Sequence, residues 1–419
     1  MRGFFKNIIC CIFILTSAAL LSWGCGLRRN YDTGQPDYNA SQLKAEPEAD
    51  ETYKPYEAGG AHEQSGGITA GEADIADIGD ITDDTGDTYD IGDIYDIYDI
   101  TEEPEPVIQP HETLRREVTI GAVGDVSLAS NYNKPYVNSF HYFYDRYGAE
   151  FFFRYVREIF EQFDVSVANL EGVLSDNDDP SIRANKRFTY RGRKQYAEIL
   201  RLGGIDIVSL ANNHTFDYGQ IGFDDTIAAL QASGIGYFGN DIILIKEVNG
   251  LKLGFIGAVG SANISGSRLQ TFRAQLDYLG ERGADLKIVS FHWGNNDELL
   301  QNPNQIHLGR FLIDNGAHLV LGHHPHVLQG IEVYRGRYIV YSLGNFIFDG
   351  NVVSDIEHRT SIIFQITFVF EGDEIISTDV NLIPVLVSSE RWRNNFQPIP
   401  VEGAMYDYIL NKIAERSVF

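Results

Sequence analysis

From Glu117 onward, short aliphatic runs alternate with longer amphipathic stretches, as in a domain where strands and helices follow one another. Val118–Val123, Val165–Ala168, Ile205–Leu210, Leu251–Val259, Leu286–Phe291 and Ala317–Leu321 predict strands. Between them, Lys194–Leu202, Phe223–Ala232, Leu269–Leu279 and Gln305–Asn315 read as helices, several of them closed by a nearby glycine. After Gly330 the pattern changes to strand pairs. Ile331–Tyr334 and Tyr338–Ser342 flank Arg335-Gly336-Arg337, and Ser361–Phe370 and Glu374–Leu382 flank Gly372-Asp373, both hairpin signals. Residues 115–419 therefore predict one α/β domain with an antiparallel element late in the chain.

The first 114 residues follow a different pattern. Arg2 and Lys6 precede an apolar run from Ile8 to Leu21, then small and polar residues and Cys25, the order of a secretory signal over residues 1–25. The run is short for a bilayer span, which needs about 20 apolar residues. Cys25 after Gly24 resembles the acceptor of a bacterial lipoprotein, and an uncleaved N-terminal anchor is the rival; either predicts an extracytoplasmic body held at the cell membrane. In residues 26–114, Asp74 to Asp83 and Asp84 to Asp99 recur every third position. Period three gathers apolar residues on one face of neither helix nor strand, and like charges at that density extend the chain, so a disordered acidic linker is expected.

Charge and cysteine content narrow the chemistry. The chain carries 33 basic and 59 acidic side chains, a net charge of -26. An acidic protein is poorly suited to the phosphate backbone, so no nucleic-acid partner is expected. The three cysteines, Cys10, Cys11 and Cys25, all precede the body. Disulfide, zinc-thiolate and thiol-nucleophile chemistry are thus excluded there, and any site must use oxygen and nitrogen.

Polar clusters follow the aliphatic runs: Gly124-Asp125, Asn169-Leu170-Glu171, Asn212-Asn213-His214 with Asp217, His292-Trp293-Gly294, and Gly322-His323-His324-Pro325-His326. Ligand groups converge at the carboxyl ends of strands in open α/β sheets, so five such clusters are expected to meet. Each alone has a plain structural use, a turn, a helix cap or a satisfied histidine. Three imidazoles in four residues directly after a strand are harder to place structurally. Two carboxylates, an amide oxygen and several imidazoles suit Zn, Mn or Fe, as one ion or as two about 3.5–4 Å apart.

The order GDVSL, ANLEG, LANNHTFDYG, FHWG and GHHPHVLQGIEVYRGRYIVYSLGNF, over about residues 117–350, resembles the bacterial CapA family of capsule and poly-γ-glutamate biosynthesis proteins. That family is similar in turn to calcineurin-like metallophosphoesterases. The resemblance implies a four-layer α/β/β/α sandwich of the metallo-dependent phosphatase type. It implies Asp125 and His326 on a first metal, Glu171 as the bridging carboxylate, and Asn213, His292 and His324 on a second. His214, backed by Asp217, corresponds to the catalytic imidazole, with Asp217 fixing its tautomer. Ser127 stands where the phosphoesterase pattern has a histidine, which leaves both a one-ion and a two-ion site open.

The basic stretch Arg183–Lys194 offers Arg187 and Arg191 as grips for an anionic polymer or phosphoester, with an ordinary exposed loop as the rival. Trp293 and Asn345 are further substrate-contact candidates. The resemblance implies a protein that makes, exports or anchors an anionic capsular polymer such as poly-γ-glutamate, beside a membrane-embedded synthesis and export complex. Metal-dependent hydrolysis, a non-catalytic subunit of that complex, and a general metal-dependent phosphodiesterase are the three functional expectations.

Overall fold

The computed structural model describes residues 115–260, 266–350 and 355–417. The expected leader, Cys25 and the acidic stretch to residue 114 lie outside the described residues. Among the described residues no helix is long and apolar enough to cross a membrane.

The body is a mixed α/β fold, and its predicted strands form. Among the described residues they build an eight-stranded and a six-stranded sheet, with a small three-stranded one. Arg115–Val126 sits inside the large sheet between Thr360–Glu371, which it pairs antiparallel, and Val165–Leu170, which runs parallel; Ile207–Ser209 and Gly236–Phe238 continue outward. In the six-stranded sheet the parallel strands Leu251–Gly260, Leu286–Trp293 and Leu319–His323 lie side by side. The expected hairpin around Gly336 forms from Ile331–Tyr334 and Arg337–Val340, and the one around Gly372 from Thr360–Glu371 and Glu374–Leu386.

The helices begin and end where local chemistry directs. Asn302 caps Pro303–Asp314 in a capping box with Gln305, and Pro303 occupies the first turn, where a missing N–H costs nothing. Ala197–Gly203 stops at Gly204, whose φ of 82° a side chain would resist. The expected helix from Lys194 opens instead with a 3-10 turn, Lys194–Tyr196. Four helices among the described residues were not expected: Phe140–Tyr147, capped by Ser139, Ala404–Arg416, and the single turns Arg157–Phe160 and Ile356–Arg359. The first, at eight residues, is too short to declare its period; it buries Phe140 and Phe143, and Phe140 packs on the rings of Phe152, Tyr196 and Phe396.

Apolar side chains divide into three main clusters. One joins inward residues of both sheets, such as Ile120, Val167, Phe364, Leu253, Ile288 and Leu321. A second joins the large sheet to helical segments through residues such as Val123, Leu200 and Leu230. A third joins the six-stranded sheet to Gly266–Glu281 and Pro303–Asp314 through Phe272, Leu276, Leu308 and Leu312.

Strand register positions the polar clusters. Asp125 pairs with Asn169 on one side and Asn345 on the other, and Asn169 pairs with Ser209, three residues before the next cluster begins at Asn212. On the other sheet His292 pairs with His323. Parallel pairing places these strand ends in rows, and so the clusters meet.

Candidate metal centre

Asp125, the last residue but one of the first strand, follows Gly124, where a β-carbon would lie 1.9 Å from the Gly344 carbonyl oxygen. That close approach lets the Asp125 N–H donate to Gly344 O at 2.9 Å, and locks the first cluster to the turn of YSLGNF. Asn169 Nδ2 donates to Asp125 Oδ1 at 2.8 Å and lies 3.4 Å from His292 Nδ1, so one amide joins the two sheets. Asn212 Nδ2 in turn donates to Asn169 Oδ1 and to the Leu170 carbonyl.

The histidine turn is strained. His324 and His326 have φ of 97° and 59°, backbone that a side chain disfavours and that clusters at functional sites. The turn brings His326 Nδ1 to 3.2 Å from Asp125 Oδ2 and 3.0 Å from Asn345 Oδ1. Both are acceptors, so Nδ1 carries the proton and Nε2 is left as a lone pair. Asn345 Nδ2 also donates to the His326 carbonyl, making Asn345 the residue that sets this ring.

Glu171 is fully buried and neither of its oxygens has a hydrogen-bond partner. Around its Oε1 stand three imidazole nitrogens, the Nε2 atoms of His214, His292 and His326, at 3.8, 3.9 and 3.9 Å. Those separations are too long for hydrogen bonds. A buried carboxylate without a donor is costly, and donors arranged around a gap of this kind fit a cation. One donor atom each from Asp125, Glu171 and His292 lies within 4.8 Å of the others. Asn213 Oδ1 is 3.1 Å from His292 Nε2, close enough for the two atoms to be neighbouring ligands of one ion. His324 Nδ1 is buried and unpartnered, with its ring 4.7 Å from that of His292.

The two carboxylates respond oppositely to the same burial. Burial alone would push Asp125 up, but the imidazoles of His323 and His326 outweigh it and hold Asp125 well below the usual carboxylate range. Glu171 has no such donors; burial first and the charge of Asp125 second hold it well above that range. Burial also keeps His292 well below its ordinary value and brings His324 down to about 4, leaving neutral rings suited to binding a metal.

His214 Nδ1 lies 2.8 Å from Asp217 Oδ2, which fixes the tautomer and leaves Nε2 facing Glu171. Asp217 is buried and held by the Tyr190 N–H at 2.6 Å and Lys186 Nζ at 2.6 Å. The Tyr190 ring stands edge-on to His214 at 4.7 Å. Burial pulls His214 below its ordinary value more than Asp217 lifts it.

The structure brings together Asp125, Glu171, Asn213, His292, His324, His326, His214, Asp217 and Asn345. It does not bring Arg191 or Trp293 to the gap. Arg191 donates to the Ser175 carbonyl, and Trp293 is buried with Nε1 donating to Tyr341 O. Arg187 is exposed and leans on Phe188. Ser127 is buried with an unpartnered hydroxyl. Sequence reasoning assigned no role to Asn169, His323 or Lys186. The first two stood inside the quoted motifs; Lys186 carried no signal beyond its charge.

The family model described as "Bacterial capsule synthesis protein PGA_cap" matches residues 119–350. "Capsule biosynthesis protein CapA" of Bacillus anthracis is 32% identical over 255 residues, covering 56% of this chain and 60% of that protein. "PGA biosynthesis protein CapA" of Bacillus subtilis (strain 168) is 33% identical over 226 residues, 48% of this chain and 58% of that one. A Mycobacterium tuberculosis protein described as a probable polyglutamine synthesis accessory protein is 29% identical over 216 residues, 44% and 56% respectively. The match spans less than two thirds of the length of each of these relatives.

Proposed function

The chain belongs to the bacterial capsule synthesis protein PGA_cap family, and from that premise we propose an extracytoplasmic, membrane-anchored protein of anionic capsular polymer biosynthesis, export or anchoring, with a metal-dependent hydrolase site. The reading takes the two sheets and their outer helices as a four-layer α/β/β/α sandwich, supported by an inner core drawn from both sheets and outer cores that include helices. The observation that carries the metal reading is the buried, unpartnered Glu171 carboxylate with three imidazole Nε2 atoms around it.

Asp125, Glu171, Asn213, His292, His324 and His326 would hold the ion or ions. When bound, Mn, Zn or Fe would supply Lewis-acid polarisation of water and of a substrate oxygen. Asp217 accepts the Nδ1–H of His214 and burial keeps the ring neutral, so its Nε2 is a lone pair beside the gap, suited to take up a proton and return it. The Tyr190 ring shields that imidazole on one side. Asn345 orients His326, and Asn169 links Asp125 to His292.

Ser127 favours a second reading, a non-catalytic subunit of the polymer machinery that binds metal without turnover. Elemental analysis of the purified protein and of Glu171→Gln tests the shared premise. One or two bound ions per chain are expected, with a loss of about tenfold or more in affinity for the variant. A wild-type protein that folds but takes up no Mn, Zn or Fe would remove both readings.

A further inference from the structure

We propose that Arg183 and Arg187, each laid on an exposed aromatic ring beside the His214 loop, form a carboxylate-binding subsite for an anionic polymer, separate from the buried centre. The inference rests on the polymer reading above and adds a location to it.

Residues 183–194 contain six basic side chains and no acidic one, in a chain whose net charge is -26. The structure divides these six by what they touch. Arg193 pairs with Asp145 at 2.5 Å, Lys194 with Asp225 at 2.6 Å and Lys186 with Asp217 at 2.6 Å; Arg191 holds the Ser175 carbonyl, with Asp178 at 4.0 Å. Arg183 and Arg187 have no carboxylate partner among the described residues. The Arg183 guanidinium lies 3.7 Å from the ring centre of Tyr132, and that of Arg187 lies 4.9 Å from that of Phe188. The two rings are 49% and 44% exposed. A guanidinium resting on an aromatic face is restrained by the ring and keeps N–H edges for a planar acceptor, so less freedom is lost when a carboxylate binds.

Position ties this pair to the centre. The Ala184 N–H donates to Asp217 O at 2.8 Å, Lys186 Nζ to Asn213 O at 2.6 Å, and the Tyr190 N–H to Asp217 Oδ2 at 2.6 Å. The loop carrying both arginines is therefore fastened to the loop carrying Asn213 and His214. Tyr132, under Arg183, bonds through its own N–H to Thr189 O of the same loop. A polymer with one unit at the gap would pass its neighbouring units over this rim. The fork geometry of the two guanidinium groups suits carboxylates borne one per unit. Arg191 is excluded, since exposed Asp178 beside it would repel the ligand.

The test is binding of labelled poly-γ-glutamate and of inorganic polyphosphate to the full chain, by fluorescence anisotropy, for wild type, Arg183→Gln/Arg187→Gln and Arg282→Gln. Arg282, just past the end of the helix Gly266–Glu281, lies 4.9 Å from the Tyr278 ring, a comparable guanidinium–ring pairing elsewhere in the chain, and serves as the control. Loss of about tenfold in poly-γ-glutamate affinity is expected for the double variant, and less than about twofold for the control. Melting temperature and bound metal should be unchanged in both. Wild-type affinity in the double variant would overturn the subsite. Polyphosphate bound more tightly than poly-γ-glutamate through the same arginines would overturn its assignment to carboxylate. A protein that shows the arginine effect yet holds no metal would keep the subsite and remove the hydrolase reading instead.

Discussion

Asp125 and Glu171 show how little burial alone decides at the scale of a residue. Both are fully buried, yet imidazoles next to Asp125 hold it charged while Glu171, next to Asp125 and without donors, is pushed the other way. Away from the centre, His318 gives a measurable pH effect. Burial, then Arg337 and Lys287, bring it from 6.5 to about 4, and its Nδ1 accepts the Lys287 N–H at 3.0 Å. Because the folded value is the lower one, this contribution to stability is fully present above about 6.5 and is lost as the pH falls through 4. Urea unfolding at pH 7 and pH 4.5 should show His318→Asn flattening the acid loss by on the order of 1–2 kcal/mol, discounted for the partly exposed ring. An unchanged acid limb would mean that the ring titrates freely.

At the scale of elements, the site depends on loops held to one another more than on any single strand. Lys186 is the clearest case: its one ammonium bridges the Asp217 carboxylate and the Asn213 carbonyl. Lys186→Met leaves Asp217 buried without its cation and should destabilise the fold by about 1–3 kcal/mol, less than a fully buried pair because the lysine is itself partly exposed. Lys186→Arg should restore a good part of it. Denaturant unfolding of both variants checks this, and two equal losses would mean that packing of the stem, not charge, is what the lysine provides. The strained His324-Pro325-His326 turn is similar: it persists because Asp125, Asn345 and the Phe348 ring hold it from three sides.

At the scale of the whole molecule, the centre spans two sheets, with Asp125 and Asn169 on one and His292 and His323 on the other. The apolar cluster between the sheets therefore sets the width of the gap. Phe364→Ala, at a fully buried position in that cluster, should cost about 3–5 kcal/mol and weaken metal binding although it touches no candidate ligand. Calorimetry with metal titration would decide it; a stability loss with wild-type metal affinity would show the two sheets to be held independently of this core. The sequence by itself determined the α/β alternation, ten strand positions, four helices and the polar clusters at strand ends, because hydrophobic period and glycine punctuation act locally. It also excluded thiol chemistry. It did not disclose Phe140–Tyr147, which at eight residues is too short to show its period, nor that Trp293 packs inward while Asn345 sets His326. Only the tertiary structure decided which of six basic side chains met a carboxylate and which kept an exposed ring, since a carboxylate partner 31 or 48 residues away is chosen by strand register and loop docking, and neither leaves a mark in the local pattern.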